Sequence, residues 1–341
     1  MSDPRSRPET DLSVAVTGPT GTFGAGLVPL LEADERVRRV VGVARRPVDP
    51  EGRGWVKTSY RQGDVRDPAA LAEAFEGADV VVHLAFAIVG GGAEQTRAIN
   101  VDGTLNAFRA AAEAGARRFV YASSVAAYGF HRDNPVGIGE DWPTRPAERL
   151  FYAQEKAELE ELLRAEAETQ AAAGREVDLY LLRPSIVVGP NAVGGKVRLP
   201  AWAGWLGTLL QRVPKRLPPV PVLVPDLPLQ LVHEADVGRA LLQCVVAAGP
   251  PGAYNIAADD TLTASDVVRI LGAVPVPLPA APAHAAARAA AGIAGLPQPA
   301  QWVEALAHPA VMDTRRARTE LGWAPQVSAA DALRETLGLR T

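Results

Sequence analysis

The chain has 341 residues, with 35 basic and 39 acidic side chains for a formal charge of −4, and 48% apolar and 22% charged residues. That length suits roughly two domains with sizeable cores, and the near-balanced charge offers no basic surface for nucleic acid or an anionic membrane. The single cysteine, Cys244, excludes internal disulfides and a cysteine-built zinc site, so no metal is expected. The longest apolar run, residues 80–89 with His83 inside it, falls short of the roughly 18 residues a membrane span needs. Residues 1–11 are polar with mixed charge and lack a signal peptide's apolar stretch. They read as a disordered tail on a cytoplasmic protein.

In chain order, residues 12–17 form a short apolar strand, 18–24 a glycine-rich turn and 25–32 a helix. A valine-rich strand follows at 37–44, then a helix at 68–76 with Asp67 as its N-cap. Residues 79–85 are a nearly continuous apolar strand, as expected when both faces of a sheet are covered. Residues 100–114 read as a helix ended by Gly115. Strand 118–123, helix 151–170 and strand 177–182 complete the alternation. Strands alternating with helices predict an α/β fold, a doubly wound parallel sheet of the Rossmann type. From Gly189 to Pro228 the chain is rich in Pro, Gly and Trp and reads as a loop-rich excursion. Periodic structure resumes at 229–246, where Glu234 or Asp236 can open a helix, and a short strand spans 254–257. Residues 273–300 are Ala/Pro-rich, and the end from Asp313 is charged and helical. The expected division is a tail at 1–11, a dinucleotide-binding domain at 12–188 and 229–257, and a smaller, discontinuous substrate-binding lid at 189–228 and 258–341.

The turn Val14–Gly24 reads V-A-V-T-G-P-T-G-T-F-G. Gly18 permits a sharp turn, Gly21 a close approach of backbone to a pyrophosphate, and Gly24 close packing of helix on sheet. The helix N-terminus then aims free N–H groups at phosphates. Thr20, Thr22 and Phe23 complete the cofactor-facing surface of this turn. An NAD site usually ends its second strand in an acid that accepts from the ribose hydroxyls. Here that strand ends in Arg45 and Arg46, which suit the 2′-phosphate of NADP, so NADP is preferred over NAD; the bland alternative is two solvated arginines.

Tyr152 and Lys156 stand four apart in Y-A-Q-E-K, on one face of a helix. Four of the basic residues are lysines, so chance would put one four places after a tyrosine in roughly 7% of such sequences. A nearby ammonium is expected to lower the phenol's pKa from about 10 toward neutrality, making Tyr152 a proton donor and acceptor for a substrate hydroxyl. Upstream, Tyr121–Gly129 reads Y-A-S-S-V-A-A-Y-G at the C-terminal end of a strand, where open α/β sheets bind ligands. Ser124, or Ser123 instead, is placed to hydrogen-bond the reacting oxygen.

These motifs, with G-D-V-R-D (63–67), H-L-A (83–85), N-V-D-G-T (100–104), L-R-P (182–184), V-H-E-A-D-V (232–237) and E-L-G-W-A-P (320–325), resemble in order and spacing the extended short-chain dehydrogenases/reductases, the NAD-dependent epimerase/dehydratase family. The resemblance implies Tyr152 as general acid/base, Lys156 tuning it and binding the nicotinamide ribose, and Ser124 orienting the substrate. It also implies Asp64 and Val65 beside the adenine, Leu84 and Ala85 along the cofactor, Pro184 and Val187 at the nicotinamide, and a homodimer through the Asn100 and Tyr152 helices. Phe86, Ala87, His131 and Asn191 are position-based candidates for the substrate pocket. Trp202 and Trp205 either stack on a substrate ring or anchor the lid, and His233 and Asp236 read as braces of the helix that carries Cys244.

Two departures narrow the expected chemistry. Family dehydratases are expected to carry acids just after the position of Ser124, where this chain has Val125 and Ala126, which disfavours dehydration. Nucleotide-sugar epimerases often carry an arginine four residues before the position of His233, where this chain has Leu229, with Arg198 or Arg212 as possible substitutes. The leading expectation is an NAD(P)-dependent oxidoreductase acting at a secondary alcohol or ketone of a small molecule. The alternatives are a nucleotide-sugar 4-epimerase that retains its cofactor, and, from another class, a non-catalytic NADP-binding sensor or assembly factor.

Overall fold

The computed structural model describes residues 10–88, 92–147, 150–192, 221–225, 227–278 and 308–339. Seven parallel strands form the central sheet: β1 (Leu12–Thr17), β2 (Val37–Ala44), β3 (Thr58–Gln62), β4 (Val80–His83), β5 (Arg118–Ala122), β6 (Asp178–Pro184) and, from late in the chain, β10 (Gly252–Ile256). Their order is β10-β6-β5-β4-β1-β2-β3. The order reverses direction between β1 and β4, where Thr17 pairs with His83 at the C-terminal ends. A crevice opens at such a switch point. The sheet is the expected doubly wound parallel one. The edge strand β3 is not among the expected elements, because T-S-Y-R-Q is polar and half exposed.

Alternate residues of each strand serve opposite faces. Val14 and Val16 pack with Leu27 and Leu31 of α1 (Thr22–Ala33) and with Val237, Leu241 and Cys244 of the Glu234–Val245 helix. Ala15, Val41, Val43 and Val81 pack on the other face against three helices, α2 (Pro68–Phe75), α4 (Gly103–Glu113) and α5 (Phe151–Ala172), with the short helix α3 (Ala93–Arg97) between α2 and α4 in the chain. Asp67 caps α2 as expected, accepting from the amides of Ala69 and Ala70. Gly24 has a different job from the one expected. A Cβ there would collide with the turn's own Pro19 carbonyl. The close helix approach is instead made at Gly26, where a Cβ would sit 2.5 Å from the Glu234 carbonyl, with Gly238 facing it.

Two smaller sheets lie outside the seven strands. β7 (Ile186–Val188), β9 (Pro228–His233) and β11 (Thr261–Thr263) form one, and β8 (Pro221–Pro225) pairs in parallel with β12 (Val274–Leu278) in the other. β8 lies in the stretch expected to be loop-rich, and β12 opens the Ala/Pro-rich stretch expected to be part helix and part linker. Proline is tolerated there because a two-stranded sheet is all edge. The C-terminal segment docks on the main body: the Trp323 indole donates to the Asp236 carbonyl, and the amides of Gln326 and Val327 donate to the Asp236 carboxylate. His233 caps its helix by accepting from the Ala235 amide, so both residues are braces, as expected. The positions Arg198, Trp202, Trp205 and Arg212, most of the tail and most of the Ala/Pro-rich stretch lie outside the described residues. Among the described residues no helix is long and apolar enough to cross a membrane.

Candidate active site

The C-terminal ends of β1, β4, β5 and β6 lie side by side along one edge of the sheet. At β1, Gly18 takes φ +69°, and a Cβ on it would lie 3.1 Å from the Ala85 amide. Only glycine tolerates both the conformation and the approach. Thr17 Oγ1 accepts from the amides of Leu84 and Ala85, fixing the loop after β4 against the turn. Gly21 is the N-cap of α1 with no capping side chain. A Cβ there would meet nothing nearer than the Gly18 carbonyl at 3.4 Å, so it would project into the open space over the helix N-terminus. A dinucleotide's pyrophosphate fits such a cradle.

His83 is buried between two hydroxyls, with Nδ1 3.0 Å from Thr17 Oγ1 and Nε2 3.1 Å from Thr104 Oγ1. Thr104 Oγ1 donates onward to the Asn100 carbonyl at 2.5 Å. Its one proton being committed, Thr104 must accept from His83, which places the ring proton on Nε2 and leaves Nδ1 to accept from Thr17. Burial first, and the Lys156 charge second, hold the ring down to about 3, so it is neutral and structural.

The other expected cofactor residues are spread along the same edge. Arg45 and Arg46 are exposed at the end of β2. Asp64 is held by Arg66 at 2.6 Å, and Val65 is buried against Gly103 of α4, where a Cβ would come within 2.5 Å of it. Pro184 is buried at the end of β6, and Val187 packs on the core. Thr22 donates to the Asn191 carbonyl at 3.2 Å.

Beyond β5, Ser124 caps the short turn Val125–Tyr128, accepting from the Ala126 amide at 3.2 Å, and it is hydrogen-bonded to Tyr152 of α5. The structure therefore separates the two serines. Ser123 donates to Glu160 at 2.6 Å and is buried in another cluster. Lys156 is buried beside them, donating to Tyr121 Oη at 3.1 Å and the Ala122 carbonyl at 2.6 Å. Its Nζ lies 3.8 Å from the centroid of the Phe86 ring, 4.6 Å from that of Tyr121 and 5.8 Å from that of Tyr152.

The expected electrostatics need correction. Burial raises the Tyr152 phenol above its ordinary value, opposed by the Ser124 hydrogen bond, while the ammonium donates to Tyr121 and Ala122. It is Lys156 that is brought near neutrality. Burial pushes its ammonium down to about 7, against the attraction of Glu160 and Glu155.

Of the substrate candidates, Phe86 packs edge-on to Tyr152 with centroids 5.5 Å apart, and Ala87 follows it in the same loop. His131 is bound to the Arg145 carbonyl. Asn191 donates its side-chain amide to Glu234 at 2.7 Å. Both polar candidates are thus engaged with the protein. Residues not singled out from sequence complete the site. Asn100, in a wide π-type turn at Ala98–Asp102, accepts from the Ala87 amide at 2.7 Å and donates to the Ala87 carbonyl at 2.9 Å and to Glu155 at 2.7 Å. Wide turns of this kind cluster at functional sites, but a single sequence has no pattern that marks one. Among the described residues no group of three acidic, His or Cys side chains could hold a metal ion.

Comparison with known proteins bears on this geometry. The model of the NAD dependent epimerase/dehydratase family matches residues 14–257. An uncharacterized protein of Mycobacterium tuberculosis is 29% identical over 334 residues, covering 95% of this chain and 83% of the relative. The N-acetyl-alpha-D-glucosaminyl-diphospho-ditrans,octacis-undecaprenol 4-epimerase of Escherichia coli O157:H7 is 30% identical over 196 residues, 55% of this chain and 52% of that protein. Among solved structures, the Bordetella bronchiseptica enzyme WbmG in complex with NAD superposes with a TM-score of 0.68 at 20% identity, covering 98% of this chain and 94% of that one. At that identity the likeness establishes the fold.

Proposed function

The chain belongs to the NAD dependent epimerase/dehydratase family, the extended short-chain dehydrogenases/reductases, and from that premise we propose that it is an oxidoreductase transferring hydride between a nicotinamide dinucleotide and a secondary alcohol or ketone. The observation that carries this reading is the convergence of Ser124, Tyr152 and Lys156 at the sheet edge that also bears the Gly18–Gly24 turn. When bound, the nicotinamide supplies the hydride acceptor or donor. The protein's part is the proton. Tyr152 gives or takes it at the substrate oxygen, Ser124 holds the phenol and that oxygen in line, and Lys156 supplies a charge that can be switched near neutral pH. Gly18, Gly21 and the first turn of α1 would hold the pyrophosphate, with Thr20, Thr22, Phe23 and Gly24 in the same turn. Asp64, Val65, Leu84, Ala85, Pro184 and Val187 would line the remaining length. With Arg45 and Arg46 where an acid would select NAD, NADP is the preferred form. The WbmG complex contains NAD, so comparing the dissociation constants of the two cofactors is a direct check. We assign the substrate lid to 189–228 and 258–341, with the remaining residues from 12 on as the nucleotide-binding unit, and a homodimer through α4 and α5.

The test is a screen of secondary alcohols and ketones followed by NADPH absorbance. Tyr152→Phe should lower kcat by about 10²–10⁴-fold, and turnover at the wild-type rate in that variant would end the reading. A second reading, a nucleotide-sugar 4-epimerase, is favoured by the likeness to the Escherichia coli 4-epimerase. It predicts nicotinamide that co-purifies with the protein, survives dialysis and shows no net turnover.

A further inference from the structure

Phe86 sits where two contacts meet. The face of its ring carries the Lys156 ammonium at 3.8 Å, and the ring makes a T-shaped contact with the Tyr152 ring at 5.5 Å and 84°. Its loop is not free to drift. The next residue, Ala87, is tied at both its amide and its carbonyl to Asn100, and Asn100 is tied in turn to Glu155, the neighbour of Lys156 on α5. The contacts close a circuit from α5 through Glu155, Asn100, Ala87 and Phe86 back to Lys156 and Tyr152 on the same helix.

An ammonium has three donors. Two are used on Tyr121 Oη and the Ala122 carbonyl, and the ring face of Phe86 lies against the ammonium as well. We propose that Phe86 is a positioning residue for the proton-handling pair: its face orients the Lys156 ammonium, its T-shaped contact orients the Tyr152 ring, and the Asn100–Glu155 link holds it in place. The inference deepens the reading of the site given above and rests on it for what Lys156 does, though not for where Lys156 is held.

The ring acts on the ammonium in two opposing ways. Its face attracts the charged form, and its bulk excludes water, which disfavours that form. Other ionisable groups around the ammonium are Glu155, Glu160 and Tyr152 from α5, Tyr121 from β5 and His83 from β4. Glu155, Glu160, Tyr121 and His83 keep their own partners when Phe86 is replaced, so the loss of the ring face and the entry of water separate by substitution.

The experiment is a pH titration of the full-length protein with its lysines isotope-labelled at Cε, followed by NMR. Only four lysines are present, so the signal missing from a Lys156→Met variant assigns Lys156. Wild type should show a Lys156 midpoint near neutrality. Phe86→Leu keeps bulk and loses the π face, and should lower the midpoint by about half to one pH unit. Phe86→Ala admits water and should raise it. Phe86→Tyr should restore the wild-type value. In turnover, Phe86→Leu should lower kcat by about tenfold with Phe86→Tyr rescuing it, the size of one lost 1.4 kcal/mol contact. Equal midpoints in Phe86→Leu, Phe86→Ala and wild type, or movement of both variants in one direction, would overturn the inference. Unimpaired turnover in Tyr152→Phe would instead overturn the proposed reaction, and the titration would still decide where the ammonium is held.

Discussion

One helix, α5, carries two buried charges a single turn apart, and they behave in opposite ways. Glu160 is completely buried, yet its carboxyl is held below the ordinary value despite that burial. Arg183 pairs with it at 2.5 Å, Ser123 donates at 2.6 Å and Arg164 at 2.8 Å. Arg183 itself is raised, and it donates onward to Tyr128 Oη at 2.6 Å and the Glu140 carbonyl at 3.0 Å. Tyr128 then donates to Asn255, whose side-chain amide donates to the carbonyls of Ile138 and Asp313. This cluster is locked in one protonation state. Lys156, four residues earlier, is equally buried but has one carbonyl, one phenol and aromatic rings around it, and burial pushes it down to about 7. Burial by itself therefore does not decide ionisation; what decides it is whether a full opposite charge is in contact. The locked cluster ties β5, β6 and the 138–140 loop together behind the site, leaving the poised lysine in front of it.

Breaking the locked cluster should have the largest effect. Arg183→Met removes the buried partner of Glu160, leaving it the half-exposed Arg164 and Ser123, and should cost about 3–5 kcal/mol in chemical denaturation. Adding Glu160→Met should recover much of that loss, since the under-compensated buried charge is removed. A double variant as unstable as the single one would show that shape, not charge, holds this region. Next in size, Asn100→Ala leaves the Ala87 amide and carbonyl without their partner and should cost about 1–3 kcal/mol. It should also loosen the Phe86 loop, seen as faster amide exchange at Ala87. Unchanged protection there would separate Asn100 from the site.

The pH dependence of stability sharpens the contrast rather than breaking it. Lys156 is lowered from 10.5 to about 7 in the folded state, so between those values the unfolded chain binds the extra proton. Stability from this group therefore rises with pH across that window, with a slope approaching about 1.4 kcal/mol per pH unit, and the cost of burying the ammonium is fully present below it. Lys156→Met should remove that slope. Parallel pH curves for wild type and variant would show that the ammonium is solvated after all.

Features that act through neighbours in the chain are legible in the sequence itself. The valine runs at 37–44 and 80–83, the glycines at 18 and 21, Asp67 before Pro68 and the Tyr152–Lys156 spacing are of this kind, and they place the sheet, the turn and the reactive pair. The choice of Ser124 over Ser123 is half legible, through the family resemblance alone, while the reason, that Glu160 takes Ser123, lies 37 residues away. Tertiary packing alone decided the rest. It set the approach of Gly26 to Gly238, the Asn100–Ala87 link, the Arg183–Glu160 pair and the shift of titration from the phenol to the ammonium. Each depends on which side chain meets an atom brought close by a distant segment. Ionisation follows the distance to a partner charge and the exclusion of water, and neither quantity exists until the chain has folded.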